Sequence, residues 1–201
     1  MPLESESEFR PDPEWFRSAI LTFVNFVRVL EVVQKFLADR GYRYALAGAM
    51  AMHGHGMSRA TNDLDFVVED RAREAIVAWL ESLGFETLNH NDAFSNHVHP
   101  LRNLGKVDFI YLDPHTAEVL FNASSVKEIL PGVSAPIPKA EHMAAMKAQA
   151  VRDNRKRQSR DLADVAFLWD LPGVDREQIR RYFQEYGLSK ELEDELSRSK
   201  E

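Results

Sequence analysis

The chain has 201 residues, 44% of them hydrophobic and 28% charged, which is enough apolar material for a core that needs no covalent cross-links. It contains no cysteine, and this excludes disulfide scaffolds, cysteine-ligated zinc and thiol nucleophiles. The net charge of −7 argues against extensive nucleic-acid binding, and the acidic start and the lack of an apolar run of about 18 residues predict a soluble, cytoplasmic protein with no membrane association.

The first half of the chain predicts a long helix followed by strands that alternate with helices. Residues 1–12 are polar and predict a disordered segment. A helix is expected to begin near Asp12 and Pro13, because Asp caps helix starts and Pro suits the first turn, and to continue to about residue 39. The elements expected after it are a strand at 44–47, a short helical segment at 49–53, a strand at 64–68, a helix at 71–83 and a strand at 85–88.

The second half begins with strands and becomes entirely helical. The expected elements are a polar loop at 89–96, strands at 97–101 and 106–112, a proline-rich connector at 131–138, and helices at 139–153, 159–170, 176–186 and 189–197. This order predicts an α/β (α+β) fold. We expect residues 1–138 to form the core with its N-terminal helix, and residues 139–201 to form a helical C-terminal region packed on that core.

Three aspartates on two predicted strands are the strongest candidates for chemistry. Side chains at positions i and i+2 of a strand share a face, so Asp63 and Asp65 point the same way, and Asp108 lies on the polar face of the later strand. If the two strands are neighbours, the three carboxylates converge and repel one another unless a cation is present. Mg²⁺ fits, because it prefers oxygen ligands completed by substrate phosphates. The alternative is a solvated Asp-x-Asp pair without a metal.

A glycine turn lies upstream of the aspartate pair. Gly48 follows the predicted strand 44–47, and a glycine at a strand-to-helix turn lets backbone N–H groups approach a phosphate. The alternative is a tight turn without a ligand. The turn segment Ala47-Gly48-Ala49-Met50-Ala51, read with the later Asp63-Leu64-Asp65, resembles the signature of the nucleotidyltransferase superfamily.

Two further segments narrow this resemblance to one family. The Arg-x-Thr-x-Asp-x-Asp form of residues 59–65 resembles that of the AbiEii-type toxin nucleotidyltransferases and their uncharacterised relatives. Residues 147–150 and 160–164 read Lys-Ala-Gln-Ala and Arg-Asp-Leu-Ala-Asp, and are similar to the Lys-x-x-Ala and Arg-Asp-x-x-Asp-Leu segments of that family. The resemblance covers about residues 44–170.

The resemblance implies a nucleotidyltransferase-like mixed sheet flanked by helices, with an NTP as substrate and one or two Mg²⁺ ions as cofactors. It also implies transfer of a nucleotidyl group to an acceptor hydroxyl on tRNA, another RNA or a protein, in a toxin that has a cognate antitoxin. By the match, the catalytic residues are Asp63, Asp65, Asp108, Lys147 and Asp161, the first three being metal ligands. The matching nucleotide-binding residues are Gly48, Ala49, Ser58, Arg59, Thr61 and Lys147, the last reaching the phosphates.

Ala49 departs from the family pattern, which has Gly or Ser at this position. A Ser would donate a side-chain hydrogen bond to phosphate, and a second Gly would permit closer approach. One alternative is therefore a catalytically weak or inactive nucleotide-binding regulator or antitoxin on the same fold. A second alternative is a structural domain that binds no nucleotide.

Several other polar residues leave alternatives open. Arg59 either binds a phosphate or the acceptor, or neutralises Asp63. The basic residues of segment 152–160 contact the triphosphate or an RNA backbone, or else form a solvated helix end. Two His-x-His pairs lack the spacing of a zinc site, and a place in the nucleotide or acceptor pocket is favoured for one of their members. These histidines are His53, His55, His97 and His99.

Overall fold

The structure is a computed structural model that describes residues 13–61, 63–101 and 104–199, with side chains from Phe26 onward. The disorder expected for residues 1–12 and the cap expected at Asp12 lie outside the described residues. The helices are α1 (Pro13–Asp39), α2 (Gly48–Gly54), α3 (Arg73–Ser82), α4 (Pro114–Asn122), α5 (Ala140–Asp153), α6 (Gln158–Trp169), α7 (Arg176–Glu185) and α8 (Ser189–Arg198). The strands are β1 (Tyr44–Leu46), β2 (Asp63–Glu69), β3 (Glu86–His90), β4 (Phe94–Val98), β5 (Lys106–Leu112), β6 (Ser125–Leu130) and β7 (Val133–Ile137).

A five-stranded mixed sheet forms the centre of the fold, in the order β1-β2-β5-β4-β3. Strands β2 and β5 run parallel, and the other neighbouring pairs of this sheet are antiparallel. Strands β6 and β7 form a separate antiparallel hairpin. The predicted fold class is therefore confirmed: this is a mixed sheet flanked by helices. Within the described residues, no helix has both the length and the apolar character needed to cross a bilayer.

The two faces of the sheet have different roles. On one face, Phe66 and Phe109 are fully buried and stack with ring centroids 5.3 Å apart, inside a core that also contains side chains of α1, α3, α5 and α6. On the other face, Val67 packs against Ala45 and against Leu120 of α4. This alternation follows from the period of two along a strand, and it places the odd-numbered aspartates of β2 on the face that α4 covers only in part.

The division of the chain at residue 138 stays a prediction. The main core cluster contains apolar side chains from both sides of that position, including Leu64 of β2 and Met143 of α5. The predicted helices of the C-terminal region are present as α5 to α8, with ends that differ by at most one residue.

The loop predicted at 89–96 and the strand predicted at 97–101 are wrong. Strands β3 and β4 form a hairpin whose second strand ends at Val98. The error arose because the inward residues of this hairpin are polar. Ser95 and His97 are fully buried and hydrogen-bond each other, with His97 Nε2 2.8 Å from Ser95 Oγ, so the hairpin lacks the expected apolar alternation.

Three elements between β5 and α5, namely α4, β6 and β7, are absent from the sequence prediction. Helix α4 begins directly after β5, where Asp113 Oδ1 accepts hydrogen bonds from the backbone N–H groups of His115 and Thr116. The proline-rich segment 131–138, expected as a connector, contains strand β7. Its Pro136 pairs with Val126, and proline is tolerated there because a two-stranded hairpin leaves an edge free on each strand.

The buried histidine of β4 makes a pH-dependent prediction. Burial lowers the pKa of His97 to about 4, below the 6.5 expected when unfolded. As the pH falls, the unfolded state therefore takes up a proton at this histidine before the folded state does. The free energy of unfolding is highest above pH 6.5 and decreases as the pH falls towards 4. We expect this to cost about 3 kcal/mol. Urea unfolding across this pH range should show that loss in the wild type and a smaller one in His97→Gln. A His115→Gln control, at an exposed site, should follow the wild type.

Candidate active site

The three candidate carboxylates lie on one face of the sheet. In the parallel pairing of β2 with β5, Asp65 is the direct partner of Asp108, and Asp63 is the partner of Lys106. Partners in register point to the same face, and residues two apart on one strand also share it. The structure therefore brings Asp63, Asp65 and Asp108 to the face opposite the Phe66–Phe109 stack, which is the arrangement that the metal hypothesis requires.

The electrostatics of this group favour a cation. Burial, together with the neighbouring carboxylates of Asp108 and Asp63, raises the pKa of Asp65 to about 6. Burial also raises the pKa of Asp108, the Asn96 amide lowers it, and Asp63 raises it. Asp108 Oδ1 is buried and has no hydrogen-bond partner among the described residues. An ionised pair here is costly unless a positive ligand compensates it.

The glycine turn lies directly against this pair. Gly48 has φ +55°, and a Cβ at this position would overlap Asp65 Oδ2. The backbone next to it is fixed by a hydrogen bond of 2.8 Å from the Ala47 N–H to the Asp65 carbonyl oxygen. Glycine is thus required both by the backbone conformation and by the space that the Asp65 carboxylate occupies.

The remaining residues of the turn and of the following loop are placed differently. The methyl group of Ala49 is buried in the interior and offers no donor to a ligand. Ser58 is exposed. Thr61 Oγ1 is 3.1 Å from both the N–H and the carbonyl oxygen of Asp63, so it shapes the start of β2. A nucleotide contact by Ser58 or Thr61 stays a prediction.

Lys147 lies inside an ionic cluster on α5 and α6. Its Nζ donates to Asp161 Oδ1 at 2.8 Å and lies 2.6 Å from Asp164 Oδ2, and all three residues are at most 5% exposed. The ammonium group is therefore held by two carboxylates, and its charge also lowers the pKa of Asp65. These contacts do not support the predicted phosphate contact of Lys147. The role of Asp161 as a supporting active-site acid stays a prediction.

Two arginines extend this cluster towards the loops. Arg59 Nη1 is 3.2 Å from Asp164 Oδ2, which is neither the Asp63 pairing nor the phosphate contact considered for it. Arg157 Nε is 3.4 Å from Asp161 Oδ2. We refer to these side chains together as the ionic cluster, and its members are Arg59, Lys147, Arg157, Asp161 and Asp164. It joins the loop before β2 to α5, α6 and the short 3₁₀ segment Arg155–Arg157.

None of the four histidines contacts the candidate carboxylates. His53 Nε2 is 2.7 Å from the Arg59 carbonyl oxygen, and His55 Nε2 is 2.9 Å from that of Pro138. His97 is buried in the core, and His99 Nδ1 accepts from the Leu101 N–H at 3.0 Å. Three of these histidines make hydrogen bonds to backbone groups, and a place for one of the four in the nucleotide or acceptor pocket stays a prediction.

Sequence reasoning missed two residues near the carboxylates. Asn96 of β4 is the cross-strand partner of Asp108, and its amide acts on that carboxyl group. Asn96 lies in the segment expected to be a loop, and the sequence carries no signal that it pairs with Asp108. Arg157 was visible as part of a basic run, but the run alone did not distinguish it from its neighbours.

A comparison with known protein families identifies the family of this chain. The family model described as "Nucleotidyl transferase AbiEii toxin, Type IV TA system" matches residues 34–201. The chain belongs to this family. It is accordingly a nucleotidyltransferase, and the predicted resemblance is confirmed. A search of curated proteins found no match to this AbiEii-family chain.

Solved structures similar to this AbiEii-family protein support the fold. A crystal structure of ANT(2")-Ia in complex with adenylyl-2"-tobramycin has a TM-score of 0.59 at 12% identity, covering 84% of this chain and 97% of that one. A solution structure of the antibiotic-resistance factor ANT(2'')-Ia has a TM-score of 0.53 at 12% identity, covering 87% and 90%. The lincomycin-bound lincosamide antibiotic adenylyltransferase LnuA covers 71% and 96% at 12% identity with a TM-score of 0.48, too low to carry an argument.

A substitution at Gly48 should separate the active site from the fold in this AbiEii-family protein. Gly48→Ala forces the Asp65 carboxylate to move and places a Cβ at positive φ. We expect transfer activity to fall about 100-fold, because displacing a catalytic group by about 1 Å has effects of that size. Gly41→Ala is the control, since Gly41 has φ +65° and no atom within 4 Å of the new Cβ. Equal activity losses in both variants, measured as kcat, would contradict the prediction.

Proposed function

We propose that the protein is a magnesium-dependent enzyme that transfers a nucleotidyl group from an NTP to a hydroxyl group of a tRNA, another RNA or a protein. The observation that carries this proposal is the pairing of Asp65 with Asp108 on adjacent strands, directly beside Gly48. Membership of a nucleotidyltransferase family supports the reaction class.

The residues present fit a magnesium ion whose remaining ligands come from the substrate. No group of three His, Asp or Glu side chains within the described ranges is close enough to enclose a metal unaided. Magnesium seldom needs such a cage, since it is usually held by one or two carboxylates together with phosphates and water. The unpartnered Asp108 Oδ1 and the raised pKa of Asp65 are features expected of such a site before a cation binds. When bound, the metal would supply charge neutralisation at the phosphates.

The chain's own residues support one course for the transfer. The acceptor oxygen forms a bond to the α-phosphorus, the bond from that phosphorus to the bridging oxygen breaks, and pyrophosphate leaves with the electron pair. The hydroxyl proton passes to the carboxylate of Asp108, whose pKa is raised by burial and which is therefore a better base than an exposed carboxylate. Asp65 would hold the magnesium ion that neutralises the phosphates, and Gly48 leaves the space that the Asp65 carboxylate occupies beside the turn.

One observation favours a second candidate function. Ala49 has a buried methyl group where a serine would donate to phosphate, so triphosphate binding rests on backbone groups at this position. A protein that binds nucleotide as a regulator or antitoxin, with little turnover, is consistent with this feature. The presence of all three carboxylates favours the enzyme.

The test is a transfer assay with each labelled NTP, Mg²⁺, and total cellular RNA or protein as acceptor. We expect one NTP to label one fraction in a Mg²⁺-dependent manner, and EDTA to abolish the labelling. Tight NTP binding in a thermal-shift assay without any labelled product would favour the regulator. No thermal shift with any NTP and Mg²⁺ would overturn both and leave a structural domain.

The toxin role and its location belong to the same proposal. We place the protein in the cytoplasm, where NTPs, Mg²⁺ and RNA are available, with a cognate antitoxin as its partner. Induced expression of the wild type should slow growth, while Asp65→Asn expressed at the same level should not. Equal growth inhibition by both proteins would separate toxicity from nucleotidyl transfer.

A further inference from the structure

Strand β4 presents side chains on the same face of the sheet as the candidate carboxylates. Asn96 is the cross-strand partner of Asp108, and Phe94 is the partner of Ile110, so these four side chains share one face. Along β4 and β5, the residues of this face are exposed or half-buried and alternate with the buried residues of the core face. The face that carries Asp108 therefore continues beyond it, across β5 and onto β4.

Helix α4 leaves this part of the face open. Its Leu120 packs against Val67 of β2, whereas Phe94 and Ile110 are 39% and 40% exposed and belong to neither hydrophobic cluster of the described residues. Single exposed apolar side chains are ordinary on protein surfaces, but here an aromatic ring and an isoleucine are direct neighbours on adjacent strands. They form a small apolar platform about 7 Å along the strands from Asp108, the length that two residues span.

A row of amides extends the line of carboxylates across the sheet. Asp65, Asp108, Asn96 and Asn89 are successive cross-strand partners on β2, β5, β4 and β3. Asn89 Nδ2 donates to Asn96 Oδ1 at 3.4 Å. Each amide has both donors and an acceptor, so the two side chains can hydrogen-bond the edge of a ligand that lies over β4. Because adjacent strands are about 4.8 Å apart, Asn96 is within one strand spacing of Asp108.

Lys106 places a cation on the other side of Asp108. It lies two residues before Asp108 on β5, faces the same way and is exposed. The apolar platform lies in the opposite direction along the strands, beside Ile110. Asp108 is therefore bordered by a cation on one side, an aromatic platform on the other, and an amide on the neighbouring strand.

We propose that this face binds the terminal nucleotide of an RNA acceptor, with the base stacked on Phe94 and a backbone phosphate near Lys106. The inference rests on the proposed function, in which the acceptor hydroxyl reaches Asp108. A group attached to that hydroxyl must lie over the residues that border Asp108. The chemistry of these residues matches the parts of a nucleotide: an aromatic ring for the plane of the base, amides for its edge and a cation for its phosphate. A hydroxyl group of a protein has no phosphate for Lys106 to bind.

The strand order separates this subsite from that of the NTP. Gly48 follows β1 and lies against Asp65 of β2, whereas β4 lies on the other side of β5. The phosphates of the NTP belong with Asp65 and its magnesium ion, so the two substrates approach the carboxylates from opposite sides. The net charge of −7 argues against an extended RNA interface, but a subsite for one nucleotide needs only one cation.

The experiment is a steady-state form of the labelling assay with the full-length protein. Total cellular RNA is the acceptor probe and total protein the parallel probe, and the half-saturating concentrations of RNA and of labelled NTP are measured separately. The variants are Phe94→Ala, Phe94→Tyr and Lys106→Gln. The controls are Val126→Ala and Lys127→Gln, which change an exposed apolar residue and an exposed lysine on the separate β6–β7 hairpin. Circular dichroism verifies that each variant is folded.

We expect Phe94→Ala to raise the half-saturating RNA concentration about 5- to 100-fold, the range for one lost base–aromatic stack, and to change that of NTP less than about twofold. Phe94→Tyr keeps the ring and should match the wild type. Lys106→Gln should weaken RNA binding and reduce the slope of log affinity against log salt by about 0.7, as one lost phosphate contact requires. Both controls should match the wild type.

Three results would overturn the inference and leave the proposed function intact. They are an unchanged half-saturating RNA concentration in Phe94→Ala, a rise for NTP in place of RNA, and labelling of protein but not of RNA by the wild type. An unchanged salt slope in Lys106→Gln would overturn the phosphate contact. A wild type that labels neither RNA nor protein would overturn the proposed function, and the inference with it.

Discussion

Replacing Asp65 with asparagine is expected to abolish nucleotidyl transfer and at the same time to stabilise the protein at neutral pH. The amide keeps the shape of the carboxyl group but loses the charge that would hold a metal ion against the substrate phosphates. Losing a group that stabilises transition-state charge typically costs about 10²- to 10³-fold in kcat, and loss of the metal would add to that. We expect a decrease of about 1000-fold or more in the Mg²⁺-dependent labelling assay.

The stability change follows from the raised pKa of Asp65. A carboxyl group with a pKa of about 6 in the folded state and 3.8 when unfolded stabilises the fold fully below pH 3.8. That contribution is lost as the pH rises through 6, and amounts to about 3 kcal/mol at pH 7. Asparagine does not ionise. The variant should therefore melt at a higher temperature than the wild type at pH 7.5, and the difference should disappear near pH 4.

Magnesium should reverse this order. A cation that binds the folded wild type raises its melting temperature, whereas Asp65→Asn should gain little. The control is Asp39→Asn, at an exposed side chain that pairs with Lys35 on α1, and it should leave transfer and the magnesium response unchanged. Retention of magnesium-dependent transfer by Asp65→Asn would remove Asp65 from the catalytic group. A magnesium shift of equal size in Asp65→Asn and wild type would place the metal elsewhere.

The central strands and their carboxylates could be predicted because the sequence carries the necessary signal locally. In β2 and β5, buried apolar residues alternate with aspartates, and this pattern determines which side chains share a face. Only the adjacency of the two strands had to be assumed. Once β2 and β5 pair in the observed register, Asp65 lies directly opposite Asp108.

The neighbouring hairpin could not be predicted for the opposite reason. Its inward positions carry Ser95 and His97, which are buried because they satisfy each other and Tyr111 through hydrogen bonds. Local sequence does not distinguish such residues from those of a polar loop. The place of Asn96 beside Asp108 therefore became visible only with the pairing of β4 and β5.

The partners of Lys147 depend on contacts between two helices. Asp161 and Asp164 are on α6, 14 and 17 residues after the lysine on α5, and the packing of these helices brings the three charges together. Spacing along the chain does not reveal whether a lysine faces a ligand or a neighbouring carboxylate. Burial decides between these roles, and burial is a property of the assembled fold.

Replacing Lys147 with methionine should therefore act on stability first. Methionine has nearly the volume of the lysine stem, but it leaves Asp161 and Asp164 buried with only the longer contacts to Arg157 and Arg59. Breaking a buried ion pair by removing one partner typically costs 3–5 kcal/mol. We expect a loss of about that size in the free energy of unfolding, measured by urea denaturation at pH 7.5.

A matched exposed pair shows whether burial is the cause. Lys35 and Asp39 also pair at 2.8 Å, but their side chains are 75% and 55% exposed, so Lys35→Met should cost less than about 1 kcal/mol. Adding Asp161→Asn and Asp164→Asn to Lys147→Met should recover much of the loss, because the uncompensated charges are then removed. If Lys147→Met is as stable as the wild type yet loses triphosphate affinity, the lysine binds phosphate and its burial between two carboxylates is not its main role.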